Sequence, residues 1–347
     1  MTAAWDSTAL SAVPLEPRVM AEDVASQLGL LSASVIEVVR LHLEALDSAL
    51  SLDAPELLAD QMRWQLVRLR SAGAPFGPDE VDAAVREALA PYLDDDARAT
   101  VQELQRAAAV LGASGAISDA LVELGEGPAR DYLSAALAGR RDDAIKVVRE
   151  AMLADLDVSD IMLTILQPAQ LELGRLWEQG EISIAHEHYT TAITQLSLSL
   201  LYPRLLLNRT LLGRSVVLTS VGSEAHEVGI RMISDLLEQA GWRTAYLGAD
   251  VPHTDVIERV AQHRADVLAV SATMAGHIRG VRELIAALRA DPRCAGVRVI
   301  VGGRPFTINP RLAALVGADA WAPGAQEALA QCRSWTETGT EDRIGAG

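Results

Sequence analysis

From Arg214 onward, five short strand-like runs alternate with helical patterns, the first, third and fourth of them carrying several β-branched residues: Arg214–Val221, Trp242–Leu247, Asp266–Ala272, Val297–Val301 and Ala318–Ala322. Strands of this kind are buried on both faces, so the alternation predicts a parallel, doubly wound five-stranded α/β sheet. In such sheets ligands bind outside the carboxyl ends of the strands. The stretch Gly222 to Gly229 stands at one such end, because it follows the first run and opens a helix with Ile230, Ile233, Leu236 and Leu237 on one face. It contains Glu224-Ala225-His226. An acidic residue two positions before a histidine can accept the proton of one ring nitrogen and leave the other for a metal.

E-x-H-x-x-G alone says little, but its continuation is specific. After Gly229 come 41 residues and then Ser271-Ala272-Thr273, and after Thr273 come 28 residues and then Gly302-Gly303. This spacing resembles the cobalamin-binding module of methionine synthase and the corrinoid proteins, whose pattern is D-x-H-x-x-G, S-x-L or S-x-T, and G-G. The departure is Glu224 in place of Asp, which is typical of the CarH-type cobalamin photoreceptors. The resemblance implies strand order 2-1-3-4-5, as in flavodoxin. It also implies that His226 is the lower axial ligand of cobalt, with the cofactor's benzimidazole tail threaded into the domain. Ser271 and Thr273 would offer hydroxyls to that tail, and Gly302 and Gly303 would let it pass close to the backbone. Read piece by piece, each element has an ordinary explanation: a helix-start histidine is more often a surface residue, and a glycine pair after a strand is more often a turn.

Ahead of the sheet the chain is helical. Short helices with short connections from Gly127 to Leu206 (Pro128–Ala138, Asp142–Ala154, Ser159–Leu166, Pro168–Gln179 and Ser183–Leu206) predict a four-helix bundle. Trp177, nine residues and then Glu187-His188 lie inside it. This W-x9-E-H pattern resembles the CarH-type signature, in which the bundle covers the upper face of the corrin. By that resemblance Trp177 caps an adenosyl group, Glu187 contacts it, and His188 takes the upper cobalt position once light removes it. His186 competes for that role. On residues alone, a tryptophan in a bundle is more often core and a Glu-His pair more often a solvated face.

The first 125 residues also read as helical: Ala21–Leu30, Ser32–Leu52, Pro55–Ala72, Val81–Leu93 with Asp79 as its cap, and Ala97–Leu111, behind an irregular arm of about 17 residues. The run Val24 to Leu30 has some character of a helix-turn-helix. Yet residues 1–95 carry 6 Arg and Lys against 16 Asp and Glu, and the whole chain has net charge −17, whereas a DNA reader needs cations facing phosphates. No nucleic-acid partner is expected. The chain therefore divides into a helical N-terminal domain (1–125), a capping bundle (126–210), a Rossmann-like cobalamin-binding domain (211–335) and a flexible polar tail (336–347). This arrangement is similar to the photocobilins, in which a cobalamin photoreceptor module also holds a bilin. A biliverdin here would be non-covalent, since Cys294 and Cys332 are the two cysteines and none precedes them. The plainer reading of the N-terminal region is a dimerisation or partner-binding bundle, and its apolar positions Val35, Val38, Val39 and Leu46 require burial against the capping bundle or a second subunit.

Two cysteines suit a reducing cytoplasm, and no apolar run has the length of a membrane span. The expectation is a cobalamin-binding light sensor, a homodimer signalling to an unknown protein partner and not an enzyme, using adenosylcobalamin or else methylcobalamin. The alternatives are a corrinoid methyl carrier serving methyltransferases, which does not need Trp177 and Glu187-His188 together, and a cobalamin-dependent adaptor without a light function.

Overall fold

The computed structural model describes residues 9–71, 73–114, 124–207, 209–221 and 226–344. Five helices come first: α1 (Pro17–Gln27), α2 (Ala33–Leu52), α3 (Pro55–Ser71), α4 (Pro78–Leu89) and α5 (Asp95–Ser114). Their starts follow local chemistry. The first begins at Pro17, earlier than its apolar pattern suggests, because proline is tolerated where no helical N–H is needed. Ser32 caps α2 by accepting a hydrogen bond from the Val35 amide at 3.2 Å. The fourth is entered at Gly77, not Asp79: the Gly77 N–H donates to the Glu80 carboxylate at 2.9 Å.

The bundle consists of α6 (Pro128–Leu137), α7 (Arg141–Leu153), α8 (Val158–Ile161), α9 (Gln167–Glu178) and α10 (Ile184–Leu205). The break expected before Pro168 is a π turn, Met162–Leu166, that carries α8 directly into α9, with the Gln167 amide donating to the Met162 carbonyl. A wide turn absorbs the donor that proline lacks without ending the helix. Tyr132 is buried in this bundle, its hydroxyl 3.1 Å from both Thr194 Oγ1 and Ser197 Oγ.

The remaining elements are β1 (Ser215–Ser220), α11 (Val228–Gln239), β2 (Arg243–Tyr246), α12 (His253–His263), β3 (Val267–Ser271), α13 (Ile278–Ala290), β4 (Arg298–Gly302), α14 (Arg304–Ile308), α15 (Leu312–Leu315), β5 (Ala320–Ala322) and α16 (Ala325–Ile344). The five strands are parallel and ordered β2-β1-β3-β4-β5, as expected. The segment after Thr336, expected to be loose, continues α16 to Ile344. Among the described residues no helix is long and apolar enough to cross a membrane.

The apolar N-terminal positions are covered, but not by the bundle or a second subunit. Val35, Val38, Val39 and Leu46 are buried in a core continuous with Ala272, Ala275, Ile278 and Val281 of the α/β domain. The contact is close and polar at its edges. A Cβ on Gly276 would lie 2.7 Å from the Glu44 Cβ, Ser48 Oγ donates to the Gly276 carbonyl at 3.0 Å, and Arg282 donates to the Ser51 carbonyl at 2.8 Å. Arg279 faces Asp47 at 3.4 Å. The acidic balance of the N-terminal block is thus partly met by arginines of the same chain.

Candidate functional site

A cavity of about 690 Å³ opens at the carboxyl ends of β3, β4 and β5 and beside His226 beyond β1, and its walls come from three parts of the chain: α3, the bundle helices α9 and α10, and the strand ends. Register explains why the scattered motif pieces meet. Ser220, Ser271 and Gly302 pair across β1, β3 and β4, so the three strands end on one line and the loops beyond them converge. His226, Gly229, Ser271, Thr273, Gly302 and Gly303 all border the cavity. Glu224 lies outside the described residues.

His226 stands just ahead of α11, and its carbonyl accepts from Ser220 Oγ at 3.4 Å. The neighbouring Glu227 fixes this turn. Its carboxylate accepts from Gln195 Nε2 of α10 at 3.2 Å and from the Tyr246 hydroxyl of β2 at 3.0 Å. Burial, reinforced by the bond to Glu227, holds the Tyr246 hydroxyl well above its usual range, so it stays a donor. The sequence reading missed Glu227, because nothing in the local pattern connects it to Gln195 or Tyr246.

The glycines separate into two kinds. Gly303 has φ +105°, and a Cβ there would collide with the Ala272 carbonyl, while one on Gly302 would sit 3.0 Å from the Ala322 carbonyl. The pair is therefore required by the protein's own backbone, whatever lies in the cavity. Gly229 and Gly174, on facing walls, differ: a Cβ on either meets no protein atom within 4 Å. Both sit in helices, where glycine costs about 1 kcal/mol relative to alanine. Their small size leaves room in the cavity that packing does not require.

On the bundle side, Trp177 and Glu187 border the cavity. The Trp177 Nε1 is buried and meets no hydrogen-bond acceptor among the described residues. The Glu187 carboxylate accepts from Thr191 Oγ1 at 2.8 Å and is hydrogen-bonded to His188 Nδ1. His188 is not brought into the cavity. Its side chain is 68% exposed, since one step along a helix turns it about 100° away from Glu187. His186 is also exposed and is held by Ser183 Oγ at 2.7 Å.

A third wall was not anticipated. Trp64 of α3 lies with its ring centroid 5.9 Å from that of Trp177, and the Arg68 guanidinium sits over the Trp177 ring at 4.6 Å. Asp60 of the same helix accepts from Arg304, just beyond Gly303, through both carboxylate oxygens at 2.7–3.2 Å. Burial pushes the nearby Glu178 carboxyl up, an effect Arg304 opposes. The signal in the sequence was weak: Trp64 and the arginines Arg63, Arg68 and Arg70 stand on a helix that no motif spacing touches.

Comparison with known proteins agrees with this geometry. Two B12 binding domain family models match residues 128–202 and 214–331. The N-terminal block lies outside both. Dimethylamine corrinoid protein 3 of Methanosarcina acetivorans is 27% identical over 208 residues, covering 60% of this chain and 96% of the relative. Its counterpart in Methanosarcina mazei is 31% identical, covering 34% of this chain and 70% of the relative. The structure of the Methanosarcina barkeri monomethylamine corrinoid protein superposes with a TM-score of 0.53 at 23% identity, over 58% of this chain and 94% of that one, and so shares the fold.

The residues fit cobalamin. Among the described residues no three His, Cys, Asp or Glu side chains are grouped to cage a metal ion. A single imidazole at a strand end suits a metal that arrives with its own equatorial ligands. Glycines on facing walls and an orphaned indole N–H suit a large, partly polar guest. The chain belongs to the cobalamin-binding corrinoid protein family.

Proposed function

We propose that this protein is a cobalamin-based light sensor that takes adenosylcobalamin. The supporting observation is the roofed site: Trp177 and Glu187 border the cavity from the bundle, and α3 covers it from a third side. A carrier that hands a methyl group to a separate enzyme needs that face open, whereas a sensor benefits from enclosing it. When bound, the cofactor supplies a light-cleavable cobalt–carbon bond. In this reading His226 would hold the metal, Glu224 would be the partner of its other ring nitrogen, and Glu227 would pin the turn that carries it. Ser271 and Thr273 receive the nucleotide tail, Trp177 shields the upper group, and Glu187 contacts it. His188, turned outward, would face the cavity only after the first turn of α10 rotates, so its engagement there would be coupled to movement of the bundle.

The second reading, a corrinoid methyl carrier, is favoured by the named relatives, which are methylamine corrinoid proteins. Absorption spectra of the protein loaded in the dark with adenosylcobalamin, before and after green light, separate the two. A light-driven change to a bis-histidine spectrum, lost in His188→Ala, supports the sensor. No protein-dependent change, together with demethylation of bound methylcobalamin by a methyltransferase, supports the carrier. A biliverdin in the sensor reading would lie between the N-terminal block and the bundle and would be non-covalent, since Cys294 and Cys332 are both buried in the α/β domain. Co-expression with a bilin-producing haem oxygenase should then add red-absorbing bands, and their absence would remove the bilin from the reading.

A further inference from the structure

We propose that α3 is the third wall of the cobalamin site. Trp64 packs with Trp177 against the group carried above the cobalt and decides which upper ligand is retained, and Asp60 positions α3 there by holding Arg304. The inference rests on the reading that the bundle covers the upper face.

Three independent contacts place this helix. Asp60 forms a two-oxygen ion pair with Arg304, and the two side chains are 11% and 24% exposed, which is sheltered enough for such a fork to outweigh an ordinary surface pair. Glu56 of α3 is hydrogen-bonded to Asn309, just past α14. Trp64 meets Trp177 in a tilted arrangement at 39°, within the range where aromatic pairs attract, and Arg68 lies over both rings, at 5.7 Å and 4.6 Å. The bonded and stacked residues recur at four-residue intervals, Glu56, Asp60, Trp64 and Arg68, so one face of α3 makes every contact.

This face has no counterpart in the matched family segments, which begin at residue 128. The shared fold supplies the floor and the bundle roof, and this chain adds a side wall. An indole beside a second indole, whose buried N–H meets no acceptor among the described residues, offers stacking area and one donor. A flat, polar upper group such as adenosyl uses both, whereas a hydroxyl or water can accept from the donor but has no face to stack, so the stacking area makes the difference. The wall therefore discriminates by what sits above the cobalt. His226 and the strand ends, which bind from below, are indifferent to it.

The test is equilibrium dialysis of the full-length chain in the dark with adenosylcobalamin and, separately, hydroxocobalamin. Trp64→Ala should weaken adenosylcobalamin binding about tenfold or more and leave hydroxocobalamin within about twofold, as expected for loss of one aromatic stacking partner. Trp64→Phe should restore most of the difference. Asp60→Asn should reduce the same preference, and Asp60→Glu should recover part of it. Equal weakening of both cobalamins in Trp64→Ala would mean general loosening and would overturn the proposal, as would no change in either. If circular dichroism shows that Trp64→Ala does not fold, Asp60→Asn carries the test, and an unchanged ratio there overturns the proposal. Because no light is used, failure of the light-sensor reading leaves this result intact, and the converse also holds.

Discussion

At the scale of single residues, the site separates positions that serve the fold from positions that serve the guest. Gly303 serves the fold, because its φ and the Ala272 carbonyl exclude a side chain. Gly174 serves the guest: it lies inside α9, its Cβ would meet no protein atom, and it borders the cavity. Gly174→Ala should therefore stabilise the cobalamin-free protein by about 0.5–1 kcal/mol through helix propensity. The same substitution should weaken cobalamin binding, because the methyl group projects into space the guest uses. Urea unfolding without cofactor and dialysis with it measure the two effects, and a variant both less stable and unimpaired in binding would contradict the assignment. His226→Ala makes the complementary prediction. It should cost about tenfold or more in cobalamin retention through gel filtration, by analogy with the loss of a metal-site residue. Stability without cofactor should change little, because the residue is exposed where it borders the cavity.

At the scale of elements, the junction between α10 and α11 holds a buried acid that costs stability. Asp235 is 6% exposed, and its Oδ2 has no hydrogen-bond partner among the described residues. Burial pushes its carboxyl up to about 6 from an ordinary 3.8, with Arg231 opposing the shift and Glu238 adding to it. The folded state therefore holds the proton more tightly than the unfolded chain does. The penalty is fully present above about pH 6, shrinks as pH falls through that value, and is gone below 3.8. Asp235→Asn should stabilise the protein by about 1–2 kcal/mol at pH 7.5, less than the ~3 kcal/mol the full gap allows, because some solvent remains. The advantage should fade by pH 4.5. Urea midpoints at three pH values check this, and an advantage that grows on acidification would refute it. The strands themselves were legible within one or two residues: β1, β3 and β4 carry β-branched runs that are mostly buried, and the partly exposed edge strands β2 and β5 were placed by their position between helical patterns. The π turn at Met162–Leu166 was not, since Pro168 signals a stop that tertiary packing overrode. Nor was the line of Ser220, Ser271 and Gly302, which depends on register between strands.

At the scale of the whole molecule, charge and apolar surface point in different directions. With net charge −17, the chain repels a polyanion, and it should not retain duplex DNA in a mobility assay at physiological salt. The reason first given for a dimer, the apolar face of α2, has gone, because that face is buried within the chain. A different one replaces it. Leu153, Leu206, Leu207, Leu211 and Leu212, at the end of the bundle and in the connection to β1, remain between 39% and 86% exposed. Where exposed leucines join into one apolar patch, the patch marks an association surface. A homodimer using this end would leave the cavity and α3 uncovered, so cofactor loading and self-association would be independent. Light scattering should give twice the 37.0 kDa chain mass with and without cobalamin, and the double substitution Leu207→Glu, Leu211→Glu should return the single-chain mass with cobalamin binding unchanged. A single-chain mass for the unmodified protein would remove the dimer. A mass that changes with cobalamin would instead place the association surface next to the site.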